Sequence, residues 1–230
     1  MFGAVPAPTS PPVPAVLPLS LLEAIRGLDT PEDIPLDELS AEERIRRLGL
    51  SETVAKQIER YGRAAERGGT APRDEVVSVF RLVSRRADAG VAFFEAGRRA
   101  ADHIVRRHAG SALTVQRLTP GVVRRRMGQH AAARLAREIL GGELRFREGA
   151  AELRLADPVS VEGAPDGAGC RFYAALLAEL LRQLTGVEAE VTQERCRARG
   201  ADACVWRAAS AAPAAPPAQP SDSVDPEPQP

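Results

Sequence analysis

The spacing of the apolar residues changes near residue 141 of this chain, and the change limits the folds that the chain can adopt. Up to residue 140, apolar side chains recur every three or four residues, as in Val76, Phe80 and Val83, which predicts amphipathic helices. After residue 142, Leu144 and Phe146 alternate with arginines, which predicts a strand. A helical half followed by strands is typical of an α+β fold.

The helices are predicted from their apolar faces and from the cap and turn residues between them. A Ser-Ala-Glu-Glu capping box at 40–43, a second serine cap at Ser51 and the Gly68-Gly69 pair mark three boundaries. The predicted helices are residues 21–28, 40–48, 51–67, two from residue 72 onward with a break near 88–90, and 121–140. The apolar face of the last of them is predicted from Val123, Met127, Ala131 and Leu135.

The strands are predicted as two β-hairpins separated by a helix. Residues 144–155 read as strand, turn and strand, and residues 187–208 repeat the pattern around a turn at 199–202. Between them, residues 170–184 carry a leucine-rich face at helical spacing. The predicted fold is therefore a helical N-terminal half packed on an antiparallel sheet built from two β-hairpins.

Proline divides the chain into tails and a middle. Of the 19 prolines, 13 lie in residues 1–20 and 211–230, and both segments are predicted to be disordered tails. Between them we expect a helical segment at 21–71 and a ligand-binding domain at 72–210. The first tail has no basic residue and its apolar run is broken by prolines, so neither a signal peptide nor a membrane span is expected. The expected location is the cytoplasm.

The charge of the chain sums to zero but is unevenly distributed. Basic and acidic residues number 31 each, whereas residues 81–147 hold 15 arginines against five acids. A basic segment of this kind is usually a solvated, partly ion-paired face. Nucleic-acid binding would also require aromatic stacking platforms or a reading motif, and Phe93, Phe94 and Phe146 look like core residues instead. Binding to nucleic acid is therefore not expected.

Three cysteines are the most specific chemical signal in the sequence. Cys170, Cys196 and Cys204 are separated by 26 and 8 residues, and their odd number favours a reducing compartment. Cys170 begins a predicted helix, where thiolate is favoured, and the other two flank a tight turn. They could bind zinc, or they could be three small core residues, and a disulfide between Cys196 and Cys204 is a further alternative. Strand alternation brings Cys196 to the face of Val191 only if a bulge intervenes.

Asp157 is the candidate for a fourth metal ligand. It alternates in phase with Leu153 and Leu155, so its carboxylate is expected on the apolar side of a strand end, where a solvated charge is unfavourable. The alternative is an ordinary turn residue before Pro158. The histidines at 103, 108 and 130 lie on arginine-rich helices and are expected at the surface.

An apolar pocket is the second predicted functional element. The glycine-rich stretch at 163–169 does not have the GxGxxG pattern that holds a dinucleotide, so no nucleotide cofactor is expected. A pocket between the helices and the sheet would suit a hydrophobic small molecule. Its predicted lining is Phe94, Phe146, Tyr173, Leu177 and Trp206.

Three stretches of the sequence resemble a known family. The runs CRFYAALLAELL from Cys170 and ERCRARGADACVW from Glu194, with an earlier segment EAGRRAADHI from Glu95, look like the 4-vinyl reductase domain over about residues 72–209. The resemblance implies a small-molecule-binding α+β domain similar to the trafficking subunits of TRAPP complexes, and often a homodimer. In the phenol-sensor branch it implies zinc on the three cysteines and a nearby acid, for which Asp157 is the best match.

Three functional hypotheses follow. The first is a module that binds a hydrophobic small molecule and carries a structural zinc; it lacks the ATPase and DNA-binding regions of the related activators, so its output would pass through a protein partner. The alternative is a bacteriochlorophyll 4-vinyl reductase-like enzyme or accessory factor in tetrapyrrole biosynthesis, in which Arg98, Arg99 and Arg124 would pair with propionates. The third is a purely structural dimer in which basic helices meet the acidic N-terminal segment.

Overall fold

The computed structural model describes residues 11–29, 52–116, 121–147 and 149–210, and they form an α+β fold. The helices are α1 (Val16–Asp29), α2 (Glu52–Glu66), α3 (Arg73–Ser84), α4 (Ala89–Gln116), α5 (Gly121–Leu140), α6 (Ser160–Gly163) and α7 (Cys170–Thr185). The strands are β1 (Val13–Pro14), β2 (Thr70–Ala71), β3 (Glu143–Arg147), β4 (Ala150–Leu155), β5 (Ala189–Arg195) and β6 (Cys204–Ser210).

The main sheet is made of the two predicted hairpins. Its strand order is β3-β4-β6-β5 and every neighbouring pair is antiparallel. β4 joins the hairpins by pairing with β6, which places Leu153 opposite Trp206 and Leu155 opposite Cys204. All four of these side chains are buried. The predicted fold class is confirmed, and the sheet buries one face as an antiparallel sheet with alternating side chains should.

Helix α7 is the central element of the core because two glycines let other helices approach its backbone. A Cβ at Gly97 of α4 would lie 2.2 Å from the carbonyl oxygen of Phe172, and a Cβ at Gly128 of α5 would lie 2.0 Å from that of Leu184. No side chain fits at either contact. α7 also packs on β5 and β6, so its apolar face is covered by helices and sheet together.

The first predicted tail is partly wrong, because residues from Val13 onward are built into the fold. Val13 and Pro14 pair with β2, and α1 begins at Val16, five residues before the predicted helix. Pro18 is tolerated because it lies in the first turn of α1, where a backbone N–H has no helical partner. Leu17, Leu19 and Leu21 are all at most 3% exposed. Their burial supplies the free energy that a proline-rich coil lacks.

The predicted apolar face of α5 is wrong in its first half, although the helix itself is confirmed and Leu135 is buried as predicted. Val123 and Met127 are 49% and 46% exposed. The buried residues of α5 are Gly128, Ala132, Leu135 and Ala136. The close contact at Gly128 selects small residues for the part of the inner face next to it, so Val123 and Met127 lie outside that face.

Most of the remaining predicted helices are present in the structure. α2, α3, α4 and α7 agree with the predicted helices, including the break before α4, and the loop before α7 contains the short helix α6. The helix at 40–48, the turn residue at 148 and the tail at 211–230 lie outside the described residues. Within the described ranges, no helix combines the length and the apolar character needed to cross a bilayer.

A candidate metal centre at three cysteines

The three cysteines meet in the core where α7, β5 and β6 come together. The Sγ atom of Cys170 lies 3.8 Å from that of Cys196 and 4.0 Å from that of Cys204, and all three sulfur atoms lie within 4.8 Å of one another. Their residues are at most 3% exposed, and all three thiols are free. The structure therefore gathers into one cluster three thiols that are up to 34 residues apart in sequence.

Each thiol is positioned by a local feature of the backbone. Cys170 is the first residue of α7 and Cys204 the first of β6. Cys196 follows β5, where the register with β6 shifts between Gln193 and Arg195. This shift is the bulge that the alternation of β5 required, and it turns Cys196 to the inner face. The loop before α7 passes close by, since a Cβ at Gly167 would lie 3.4 Å from the Cys196 sulfur.

Burial favours the protonated form of two of the three thiols, those of Cys170 and Cys204. It raises the pKa of Cys170, an effect that the amide of Gln193 opposes and that charge on Cys204 and Cys196 would increase. Burial also raises the pKa of Cys204, although the backbone N–H of Arg197 donates to its sulfur at 3.3 Å. A divalent cation would supply the positive charge that three thiolates need, and its binding would release protons.

The spacing of the sulfur atoms fits zinc. Zinc bound tetrahedrally by sulfur ligands at about 2.3 Å holds pairs of sulfur atoms about 3.8 Å apart. Two of the observed separations are 3.8 and 4.0 Å, so little movement would be needed to close a shell of three thiolates. Thiolate-rich, tetrahedral sites select zinc or iron–sulfur chemistry over magnesium or calcium. The residues present thus fit a metal centre with one further position.

Gln193 is the residue at this site that the sequence analysis missed. Its amide lies near enough to Cys170 to lower the pKa of that thiol, yet its Nε2 atom is buried and forms no hydrogen bond within the described part of the chain. Because the Nε2–H group is a hydrogen-bond donor, it can donate to a thiolate of the cluster, whereas only the amide oxygen of Gln193 could bind a cation. The sequence does carry a signal for this residue, because strand alternation places Gln193 on the same half-buried face of β5 as Val191 and Ala189.

Asp157 does not join the cysteine cluster. Its side chain is 58% exposed, and its carboxylate pairs with Arg73 at 2.8 Å and with Arg197 at 2.6 Å. Arg73 is itself buried to 9% exposure and also pairs with Glu162 of α6. These ion pairs connect the loop after β4 to α3 and to the turn after β5. Asp157 therefore stabilises the loops around the cysteines from the protein surface.

The predicted pocket residues are placed in three different environments. Tyr173, Leu177 and Trp206 are at most 3% exposed, and the Tyr173 and Trp206 rings pack 5.4 Å apart between their centroids. Phe146 is half-buried beside a cavity of about 20 Å³, which has room for a single water molecule. Phe94 is 51% exposed on the outside of α4. The structure therefore does not bring these five side chains together around one space.

The other polar candidates lie away from the cysteines. Arg98 and Arg99 both pair with Glu95 on their own helix, at 3.8 and 3.0 Å, and Arg124 is exposed on α5. Of the histidines, His108 and His130 are exposed, while His103 forms a 2.8 Å contact with Glu23 of α1. None of them belongs to the cluster of possible metal ligands.

Comparison with known proteins identifies the part of the chain that holds this site. Residues 152–209 match the 4-vinyl reductase domain family, and all three cysteines fall inside the match. The match covers this segment of the chain and none of the helices before it. The resemblance seen in the sequence is thereby confirmed for β4 to β6. Among curated proteins, none matches the chain. The matched segment thus comprises the cysteine cluster, α7 and three strands of the main sheet, while the helices before it form the rest of the core.

Proposed function

We propose that this protein is a small-molecule-binding 4-vinyl reductase domain protein in which Cys170, Cys196 and Cys204 hold a structural zinc ion. The observation that carries the proposal is the cluster of three buried thiols at separations suited to zinc. We expect the amide oxygen of Gln193 to complete the shell, because this side chain lies beside Cys170 and an amide oxygen can bind a cation. A closed shell without an exchangeable water is the usual form of a structural site.

Zinc would act here as a cross-link between distant segments. It would tie the first residue of α7 to the β5–β6 hairpin, and the loop that carries Gly167 would be packed against it. The rest of the domain would depend on this link, because α7 is the helix on which α4 and α5 pack. The metal would therefore contribute to folding directly, without taking part in chemistry.

Metal analysis of the purified chain tests the zinc. We expect one zinc ion per chain by native mass spectrometry, the same in a Thr192→Ser control on the outer face of β5, and none in Cys196→Ser. Treatment with a chelator should lower the melting temperature of the wild type and leave that of Cys196→Ser unchanged. Wild-type protein that is free of metal, folded and insensitive to the chelator would refute the zinc.

Binding of a hydrophobic small molecule is the second part of the proposal and is supported by the family match. The same mass spectra test it, because a bound molecule adds mass that organic extraction removes.

The alternative is an enzyme or accessory factor of tetrapyrrole biosynthesis. If it holds, we expect a vinyl-bearing tetrapyrrole to bind and its absorption spectrum to shift. The pairing of Arg98 and Arg99 with Glu95 removes two of the cations that were expected to hold its propionates.

A homodimer belongs to the same proposal. The first two turns of α5 expose Val122, Val123 and Met127, with exposed fractions of 83%, 49% and 46%. A second copy of the chain would cover this apolar strip. Light scattering should give twice the chain mass for the wild type and a monomer for Met127→Glu. A monomeric wild type at micromolar concentration would refute the dimer and leave the zinc untouched.

A further inference from the structure

A large cavity lies outside the segment that matches the family, between α1, α2, α4 and the end of α5. Its volume is about 690 Å³, within the range of about 300 to 1,000 Å³ that is usual for small-molecule sites. The apolar side chains of Val16, Leu19 and Ile104 form its floor and are at most 8% exposed. A space of this size with an apolar floor suits the hydrocarbon part of a ligand.

Charged groups surround this floor, and most of the carboxylates among them already have a partner. Glu23 contacts His103 at 2.8 Å, and Glu138 lies 3.9 Å from Arg134. Arg106 and Arg107 also line the cavity and form no ion pair with any described residue. Only one lining carboxylate, that of Glu66, lacks a partner in the same part of the structure. Arg106 and Arg107 are therefore the guanidinium groups of the lining that have no ion-pair partner among the described residues, and both are available to an anionic group of a ligand.

The position of Arg107 depends on the glycine turn after α2. A Cβ at Gly68 would lie only 2.8 Å from the Nη2 atom of Arg107, so the guanidinium rests where a side chain would otherwise stand. Gly68 has a φ of +69°, which also favours glycine. The glycine turn therefore leaves room for the guanidinium group of Arg107 beside the cavity. The helix that carries Arg107, α4, borders the same cavity.

We propose that this cavity binds a small amphipathic carboxylate. The hydrocarbon part lies on Val16, Leu19 and Ile104, and the carboxylate is held by Arg106 and Arg107, whose planar guanidinium groups form paired hydrogen bonds with carboxylates. This inference rests on the proposed function in so far as both expect a hydrophobic ligand. It adds the location of the site, outside the matched segment, and the chemical class of the head group.

Isothermal titration calorimetry with decanoate, decanol and decylamine, all below their micellar concentrations, tests the head group. We expect decanoate to bind at least tenfold more tightly than either of the others. Arg106→Gln and Arg107→Gln should each weaken decanoate at least fivefold without changing the affinity for decanol. Arg81→Gln, an exposed arginine on α3 outside the cavity lining, is the control and should bind as the wild type does.

A second pair of variants tests the location. A Cβ at Gly62 of α2 has only the Leu19 Cδ1 atom near it, at 3.9 Å, so Gly62→Phe fills the cavity without a backbone clash. It should abolish decanoate binding, whereas Gly121→Phe, at a glycine with open space around it, should not. Because both glycines have room for a side chain, both variants should keep the melting temperature of the wild type.

The outcomes separate this inference from the proposed function. Equal binding of decanoate and decanol would overturn the carboxylate assignment and leave the hydrophobic ligand in place. Undiminished decanoate binding in Gly62→Phe would overturn the location alone. No binding of decanoate to the wild type would overturn the whole inference, while zinc analysis of the same protein would still decide the metal centre independently.

Discussion

Gln193 on β5 lies opposite Trp206 on β6, and each side chain carries a buried nitrogen atom without a hydrogen-bond partner in the described part of the chain. Trp206 is the single tryptophan of the sequence and lies two residues from Cys204. Its fluorescence is therefore a built-in reporter of events at the cysteines. Both orphaned atoms are hydrogen-bond donors, so each requires an acceptor that the described part of the chain does not supply.

Changing Gln193 should alter the affinity of the site for zinc. Gln193→Glu adds a negative charge beside the thiols and should tighten zinc binding about tenfold, whereas Gln193→Leu removes the donor and should weaken it by about ten- to a hundredfold. Competition with a chelating dye, followed by Trp206 fluorescence, measures both. Wild-type affinity in Gln193→Leu would show that the amide does not reach the metal.

Zinc should stabilise the fold in proportion to its concentration. Free zinc at about 100 times its dissociation constant should raise the free energy of unfolding by about 2.7 kcal/mol, because it binds the folded state. Urea unfolding with buffered zinc concentrations measures this increase. Cys204→Ser should show no dependence on zinc, and a dependence as steep as that of the wild type would contradict the assignment of this ligand.

Leu17→Ala should destabilise the protein although Leu17 lies in a proline-rich stretch. Its residue is 2% exposed at the start of α1, so truncation leaves a cavity and should lower the free energy of unfolding by about 2 to 5 kcal/mol. Leu28→Ala at the exposed end of the same helix, where the residue is 39% exposed, is the matched control and should cost well below 1 kcal/mol. Equal, small effects of both would contradict the burial of α1.

The close contact between α5 and α7 gives a prediction for Gly128. A Cβ there would meet the Leu184 carbonyl group, so Gly128→Ala should destabilise the protein by about 1 to 3 kcal/mol despite the better helix propensity of alanine. Gly121→Ala on the same helix meets nothing within 4 Å and should be neutral or slightly stabilising. Thermal unfolding of the two variants decides the point, and a stable Gly128→Ala would mean that the helices are farther apart.

Glu179 on α7 should make stability depend on acidic pH. Hydrogen bonds from Arg182 lower the pKa of its carboxyl group, with smaller contributions from Gln183 and from the charge of Arg98, while burial opposes them. Because the pKa is lower in the folded state, this stabilisation is complete above the unfolded pKa, about 4.3, and is lost as the pH falls through the folded value.

Glu179→Gln should remove that dependence. We expect the variant to lose about 1 to 3 kcal/mol of stability at pH 7, because hydrogen bonds to a charged group are replaced by neutral ones, and to approach the wild type near pH 3. Urea unfolding between pH 3 and 7 measures the difference. Parallel curves for the two proteins would show that Glu179 contributes nothing through its charge.

Much of the fold could be predicted from local patterns. The alternation around Leu144 and Leu153 gave the first hairpin, and the apolar face of residues 170–184 gave α7 with nearly its observed bounds. The odd phase of Cys196 even required the bulge after Gln193 that the register shows. These features depend on residues close in sequence, and their periods reflect backbone geometry that any chain obeys.

The errors have a common cause. Proline content alone suggested a coil up to residue 20, but the leucines between the prolines are buried by α2 and α4, which follow much later in the chain. The rotated face of α5 has the same origin, since only the position of α7 makes Gly128 an inner residue. Tertiary packing overrode a local preference in both cases.

The sequence by itself determined the α+β class, the order of the main helices and strands, and the presence of three cysteines separated by 26 and 8 residues. Only the tertiary structure decided that their sulfur atoms meet, that Gln193 lies beside them while Asp157 faces arginines at the surface, and that a cavity of about 690 Å³ lies among the first helices. Local periods fix which side of an element a residue occupies, whereas a site needs the distances between elements, and those follow from how the whole core packs.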